Sequence, residues 1–196
     1  TMLTLPRSVL MLHSQDLGGI EMRRRWMAQL IHDIYPLHES EIFGGLAVGE
    51  LSSIAPICDE SRFSEGALLF AEGHSAGWLY IVTEVLVALQ TSMRVPHATQ
   101  PRRTTVALCG RGEIVGWSAL VEPFRYVLSA SAWDDCRLIA IDASLLRRSL
   151  ASNPVIGFVV MQSLFQVMPK RALQVTEALV KERQIAAARF QTFTDR

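Results

Sequence analysis

At 196 residues, 49% of them hydrophobic and 19% charged, the chain is a folded globular protein with room for one substantial core and some extra helix, which excludes a disordered polymer. Nineteen basic and nineteen acidic side chains cancel, so no bulk positive charge points to nucleic acid. The three widely spaced cysteines Cys58, Cys109 and Cys136 form no CxxC pair and read as reduced thiols of a cytoplasmic protein; no signal peptide or membrane-spanning run is expected.

In chain order, Trp26, Met27, Leu30, Ile31 and Ile34 have helical spacing, which predicts a helix over 20–34 that Pro36 ends. The Arg23–Arg25 run before them reads as a solvated helix end. A second helix is predicted over 48–58, with Leu51, Ile54, Ala55 and Cys58 on one face. From Phe63 to Ile141 the texture changes to short β-rich runs punctuated by glycine. Segments 78–82, 85–90, 104–108, 127–133 and 137–141 read as strands, and their near-regular spacing predicts a sandwich or barrel. Asp142 or Ser144 then caps a helix containing Leu145, Leu146 and Leu150. Asn153-Pro154 starts another, which Pro169 is expected to break or kink. Beyond it, Ala172, Val175, Leu179, Ala186 and Phe190 mark an amphipathic helix to the C-terminus.

Several local motifs fit one family in the same order. Ile42-Phe43-Gly44-Gly45-Leu46 with Glu50-Leu51 precedes Phe63, Gly66, Leu69-Phe70 and Glu72-Gly73. Leu79-Tyr80-Ile81-Val82 follows, then Gly112-Glu113-Ile114-Val115-Gly116 with Ala119-Leu120, then Cys136-Arg137-Leu138 with Ile141. Lys170-Arg171-Ala172-Leu173-Gln174-Val175-Thr176 opens the last helix. This series resembles the cyclic nucleotide-binding domain of the cyclic-AMP receptor protein (Crp/Fnr-like) family. The resemblance implies a mainly β fold with flanking helices: a double-stranded β-helix, or jelly-roll barrel, followed by a long C-terminal helix. It divides the chain into an N-terminal helical extension (1–41), the barrel domain (42–168) and a dimerisation helix (169–196). The chain ends soon after the match, so a DNA-reading winged helix is not expected within it, nor nucleic-acid binding by this chain alone.

The same resemblance implies a phosphate-binding cassette of Gly116, Trp117, Ser118, Ala119, Arg125 and Tyr126, with Thr176 reaching toward a base from the long helix. Glycine at 116 would let an anion approach the backbone, and an arginine would hold the phosphate. Three departures stand out. Trp117 replaces the glutamate that would accept from a ribose hydroxyl. Arg125 sits one residue early, with Tyr126 at the arginine's place. Val85 replaces the glycine of the turn after Val82, and a branched residue disfavours positive φ, so that turn should be reshaped. Trp117 is read first as a plug that fills the ribose space, and alternatively as a stacking platform for another flat or hydrophobic ligand. The expectation is a non-enzymatic sensor or regulator with weak or no cyclic-AMP binding. No metal or certain cofactor is called for, and a cyclic nucleotide or another small ligand is the only candidate. The remaining partner is a second copy, paired through the C-terminal helix. A ligand-free interaction scaffold, or the sensor part of a transcription regulator, is the alternative.

Overall fold

The computed structural model describes residues 34–93 and 102–194, with side chains described up to 92 in the first segment and over 103–185 in the second. The predicted 20–34 helix, the arginine run and most of the N-terminal extension lie outside them. Residues 34–38 are helical, so the chain stays helical past Pro36 instead of ending there. Helix α1 (Val48–Ile54) passes into a 3-10 turn (Ala55–Ile57). Eight strands follow: β1 (Cys58–Phe63), β2 (Leu68–Phe70), β3 (Trp78–Glu84), β4 (Val87–Met93), β5 (Arg102–Cys109), β6 (Ile114–Val115), β7 (Ser129–Ala132) and β8 (Cys136–Asp142). Helices α2 (Ala143–Ser152) and α3 (Pro154–Thr194) complete the described chain.

The strands form two four-stranded antiparallel sheets, ordered β1-β8-β3-β6 and β2-β7-β4-β5. This is the expected jelly roll. Successive side chains of a strand point to opposite faces, and β3 uses both. Tyr80 and Val82 face the second sheet, where they meet Val87, Leu89, Val106 and Ala130. Leu79 and Ile81 face the helices and pack with Leu37, Leu51, Leu146 and Ile156. Because both faces are covered, four consecutive residues of β3 are buried. The strand therefore reads as a continuous apolar run.

The start of α2 follows from capping. The Asp142 carboxylate accepts from the Ser144 and Leu145 N–H groups and starts α2. Pro169 lies inside α3, which runs 41 residues, so of the expected break or kink the break does not occur. Proline removes one N–H, yet the buried face of the helix holds it in place through Val160, Leu164 and Val167 before Pro169 and Arg171 after it. The anticipated pairing stripe is also corrected in part. Val175 and Leu179 pack against the core between the chain's own sheets. Among the described side chains of α3, the large apolar residues that remain exposed are Val155, Phe158, Phe165, Leu173, Val180 and Ile185, and Ala172 of the anticipated stripe is exposed too.

The turn between β3 and β4 is not reshaped. Val85 takes the left-handed conformation itself, with φ of 66°. Holding a β-branched residue there costs about 1–3 kcal/mol, and the exposed side chain gains little in return. Val85→Gly should therefore raise stability by about 1 kcal/mol after the entropy of a freer unfolded chain is subtracted. That corresponds to a melting temperature about 2–4 °C higher, measured by thermal unfolding. An unchanged or lower value would mean that the turn is unstrained.

Candidate functional site

The candidate cassette begins where β6 ends. Gly116 has φ of 86°, and a Cβ there would lie 2.9 Å from the Trp78 carbonyl oxygen, 3.2 Å from Tyr126 Cε1 and 3.3 Å from Phe70 Cε1. Glycine is therefore required twice over, by conformation and by close approach. Besides the Trp78 carbonyl oxygen, the groups that approach it are two aromatic rings. A 3-10 turn, Trp117–Leu120, follows. Its far end is held by α2, where the Arg147 guanidinium donates to the Ala119 carbonyl oxygen and lies 4.2 Å above the Phe124 ring.

Tyr126 is the centre of this arrangement. Its ring stacks on Phe70 with centroids 3.7 Å apart and an interplanar angle of 12°. Its hydroxyl donates to the Trp78 carbonyl oxygen at 2.8 Å and accepts from the Trp78 N–H at 3.0 Å. Phe70 leads on to Tyr80, and Tyr80 to Phe63, at centroid distances of 6.2 and 6.1 Å. A column of four rings thus fills the barrel beside Gly116. Burial pushes the Tyr80 phenol up to about 12 and raises Tyr126 as well, so both are neutral donors at any physiological pH. The void left between Phe70, Gly116, Trp117, Ser118 and Tyr126 measures only about 20 Å³.

The sequence-predicted residues divide accordingly. Gly116, Trp117, Ser118 and Tyr126 surround that void, and Ala119 is buried with Tyr126, Ala76 and Ala143. Trp117 is half-buried, packed toward the helix-side core, and forms a wall between the void and a larger groove against α3. The bulk that fills the cassette is therefore Tyr126, not the indole. Arg125 is turned elsewhere: it is exposed and donates to the Gly73 carbonyl oxygen at 2.9 Å, stapling the neighbouring loop. Thr176 is exposed, donates to the Ala172 carbonyl oxygen and lies on the groove with Trp117. Phe70 and Tyr80 were readable only as strand residues, although a second aromatic two to ten positions from each was already a hint of a ring column.

A charged cluster ties the cassette to α3. Arg171 is 3% exposed, and its Nη2 lies 3.6 Å from Glu113 Oε1 and 3.7 Å from Glu41 Oε1. Glu113 also accepts from Lys170 Nζ at 3.0 Å and from the Gly110 N–H at 2.8 Å, while Glu41 accepts from the Ile114 N–H at 2.9 Å. Burial raises the Glu41 carboxyl, and the Ile114 bond and Arg171 charge only partly offset it. Burial acts on Glu113 in the same sense. There the Gly110 and Lys170 bonds and the positive charges of Arg171 and Lys170 outweigh it, and the net shift is downward. A separate hollow of about 390 Å³ lies outside β3 and β8. Its exposed charges pair with one another, Arg111 with Glu39 and Arg137 with Glu84. No group of three or more His, Cys, Asp or Glu side chains able to hold a metal occurs among the described residues. No helix among them is long and apolar enough to cross a membrane.

Residues 60–153 match the family profile described as the cyclic nucleotide-binding domain. A solved structure from Geobacter metallireducens GS-15, provisionally titled a cyclic nucleotide-binding protein, is 28% identical with a TM-score of 0.58, over 74% of this chain and 97% of that one. The N-terminal domain of a transcriptional regulator from Streptomyces coelicolor A3(2) is 23% identical with a TM-score of 0.57, over 69% and 91%. The regulatory subunit of a cAMP-independent protein kinase A from Trypanosoma cruzi, bound to guanosine, is 19% identical with a TM-score of 0.59, over 71% and 46%. The last two bear on the fold alone. No curated protein matches the sequence. Over residues 60–153 the jelly roll described above is similar to a cyclic nucleotide-binding domain.

The two glutamates make opposite contributions to stability. Glu41, with its folded value raised above the usual 4.5, loses stability as pH rises through that window. Glu113, with its folded value lowered, contributes fully above 4.5 and loses that contribution as pH falls through the folded value. Glu113→Gln should cost about 1–2 kcal/mol at pH 7, read by urea unfolding. The deficit should shrink below pH 4.5, where the parent carboxylate is itself taking up a proton. A deficit that is constant down to pH 3 would mean that the charge on Glu113 contributes nothing.

Proposed function

We propose that this chain is a non-enzymatic regulatory module that keeps the cyclic nucleotide-binding fold but has closed the nucleotide pocket with its own side chains, and that it works as a pair of copies joined along α3. The observation that carries the first half is the 20 Å³ void beside Gly116, where Tyr126 stacks on Phe70. Small-molecule sites usually offer about 300–1,000 Å³. Opening this one forfeits two hydrogen bonds to Trp78 and the burial of an aromatic ring, together about 4 kcal/mol, which weakens a nucleotide about a thousand-fold. Nothing compensates on the polar side. Arg125 is committed to Gly73, and Trp117 supplies no carboxylate for a ribose.

The second half rests on the outward face of α3. Phe158 and Phe165 are 69% and 67% exposed and seven residues apart, as are Leu173 and Val180. A seven-residue apolar repeat on a helix is the pattern that pairs two helices. The opposite face, with Ile156, Val160, Leu164 and Arg171, is already buried against the barrel and helices. Pairing along the exposed stripe accounts for large side chains that otherwise stay in water.

Calorimetric titration tests the closed pocket. Cyclic AMP and cyclic GMP should give no saturable heat with the parent, and binding at micromolar concentration would overturn the reading. Tyr126→Ala, which removes the filling ring, should bind measurably if the fold persists. Sedimentation tests the pairing: the parent should run as a dimer, and Phe158→Glu with Phe165→Glu should shift it to monomer by at least ten-fold in dissociation constant. A monomeric parent at micromolar concentration would exclude the interface.

A further inference from the structure

Helices cover the outer face of the β1-β8-β3-β6 sheet at Leu79, Ile81 and Ile141, which are fully buried. Ile139 stands beside Ile81 on that face and is only partly buried. The hollow of about 390 Å³ outside β3 and β8 lies over it, and Glu60, Thr83, Tyr35 and Pro36 share its lining. Tyr35 is 52% exposed there. The charges around the hollow are matched, Arg111 with Glu39, Arg137 with Glu84 and Arg62 with Glu60. What this part of the sheet lacks is apolar cover, not a counter-ion.

The chain itself enters at this spot. Residues 1–33 precede the helical turn 34–38, and that turn carries Tyr35 and Pro36. Its Ile34 and Leu37 are buried in the helix-side core. With about 100° between successive helical residues, Ile20, Met27, Leu30 and Ile31 fall within about 60° of Ile34, whereas Arg25 and His32 fall on the opposite side. The apolar stripe of the sequence 20–33 is therefore in phase with the face that the turn already buries. Along a helix axis Leu30 stands about 6 Å and Met27 about 10 Å before Ile34, which is the scale of a 390 Å³ hollow. Pro36 has no N–H to give to residue 32, so the chain can bend there toward the sheet.

We propose that residues 20–33 dock in this hollow as an amphipathic helix, with Met27, Leu30 and Ile31 against Ile139 and Thr83. The docked segment completes the cover of the outer sheet face. It leads on through Glu39 and Glu41, which bond to Arg111 and to the Ile114 N–H just ahead of the cassette. Docking and undocking thus act on the stretch of chain that borders the cassette. This interaction is independent of the closed pocket and of pairing along α3.

The test uses the full chain carrying Glu60→Cys, at an exposed position of the hollow, and follows alkylation by a maleimide. Peptide mapping reads Cys58, Cys109 and Cys136 separately. Glu65→Cys, exposed but outside the hollow, is the reference. Docking should make Glu60→Cys react about ten-fold more slowly than the reference, the protection given by a closed state favoured by that factor. Met27→Asp with Leu30→Asp should restore the fast rate and leave Glu65→Cys unchanged. Thr83→Arg, which crowds the hollow from the barrel side, should do the same. Cys136, buried in the barrel, should stay unlabelled throughout, which separates undocking from unfolding. Equal rates at the two cysteines, or protection that neither set of substitutions relieves, would overturn the docking site. Protection that fades on dilution would place a second copy's segment in the hollow and overturn the assignment within one chain.

Discussion

The organisation of this barrel depends on one side chain, Tyr126, held between two constraints. Phe70 fixes the plane of its ring, and the Trp78 peptide fixes its hydroxyl through a donated and an accepted bond. Trp78 opens β3, a strand buried on both faces at its centre, so the position of Tyr126 is tied to the core of the fold. With the Trp78 carbonyl oxygen and Phe70, the ring leaves Gly116 no room for a side chain. In a pocket built for an anion, the backbone at such a glycine must be open to the incoming group. Here the same backbone geometry is retained and spent on packing.

The charged cluster plays the complementary part, because it joins pieces that packing leaves separate. Glu41 belongs to the segment before α1, Glu113 to the turn before β6, and Lys170 and Arg171 to α3. Exposed pairs such as Arg62–Glu60 contribute little, since water competes for both partners. The Arg171 pairs differ because the guanidinium is buried, and removing one partner would leave an uncompensated charge. Geometry is looser than a strong pair requires: neither carboxylate reaches Nη2 within hydrogen-bond distance. The cluster therefore fixes charge balance and approximate register between α3 and the cassette.

What was legible in the sequence was whatever period and motif order encode. The apolar run of β3, the Asp142 cap and the jelly-roll order were all readable, because each is written within a few residues. Four features were not. Strand β1 carries Asp59, Glu60, Ser61 and Arg62, which give no apolar alternation; it is a strand because it pairs along the edge of β8. Val85 looked incompatible with its turn, yet the ladders on either side hold it at positive φ. Pro169 looked like a helix break, but burial on both sides outweighs one lost bond. The plug was sought at Trp117, the visible departure from the family motif. Tyr126 was read only as standing at the arginine's position. Its role depends on Trp78, 48 residues away, and that distance is invisible to local reading.

These features together decide where regulation can enter. A ligand shifts a conformational equilibrium only by its difference in affinity between the two states. If Tyr126 shuts a nucleotide out of both states, as proposed, that ligand has no such difference to act through, even though the strands that frame the cassette remain. The output side is not lost with it: α3 still meets the cassette through Lys170 and Arg171 and still presents an apolar stripe to the outside. An input that retains influence over α3 must therefore act where the helix and the cassette touch. In this fold that boundary is lined by Trp117 on one side and by the helix residues around Ala172 on the other, with an incompletely satisfied arginine between them.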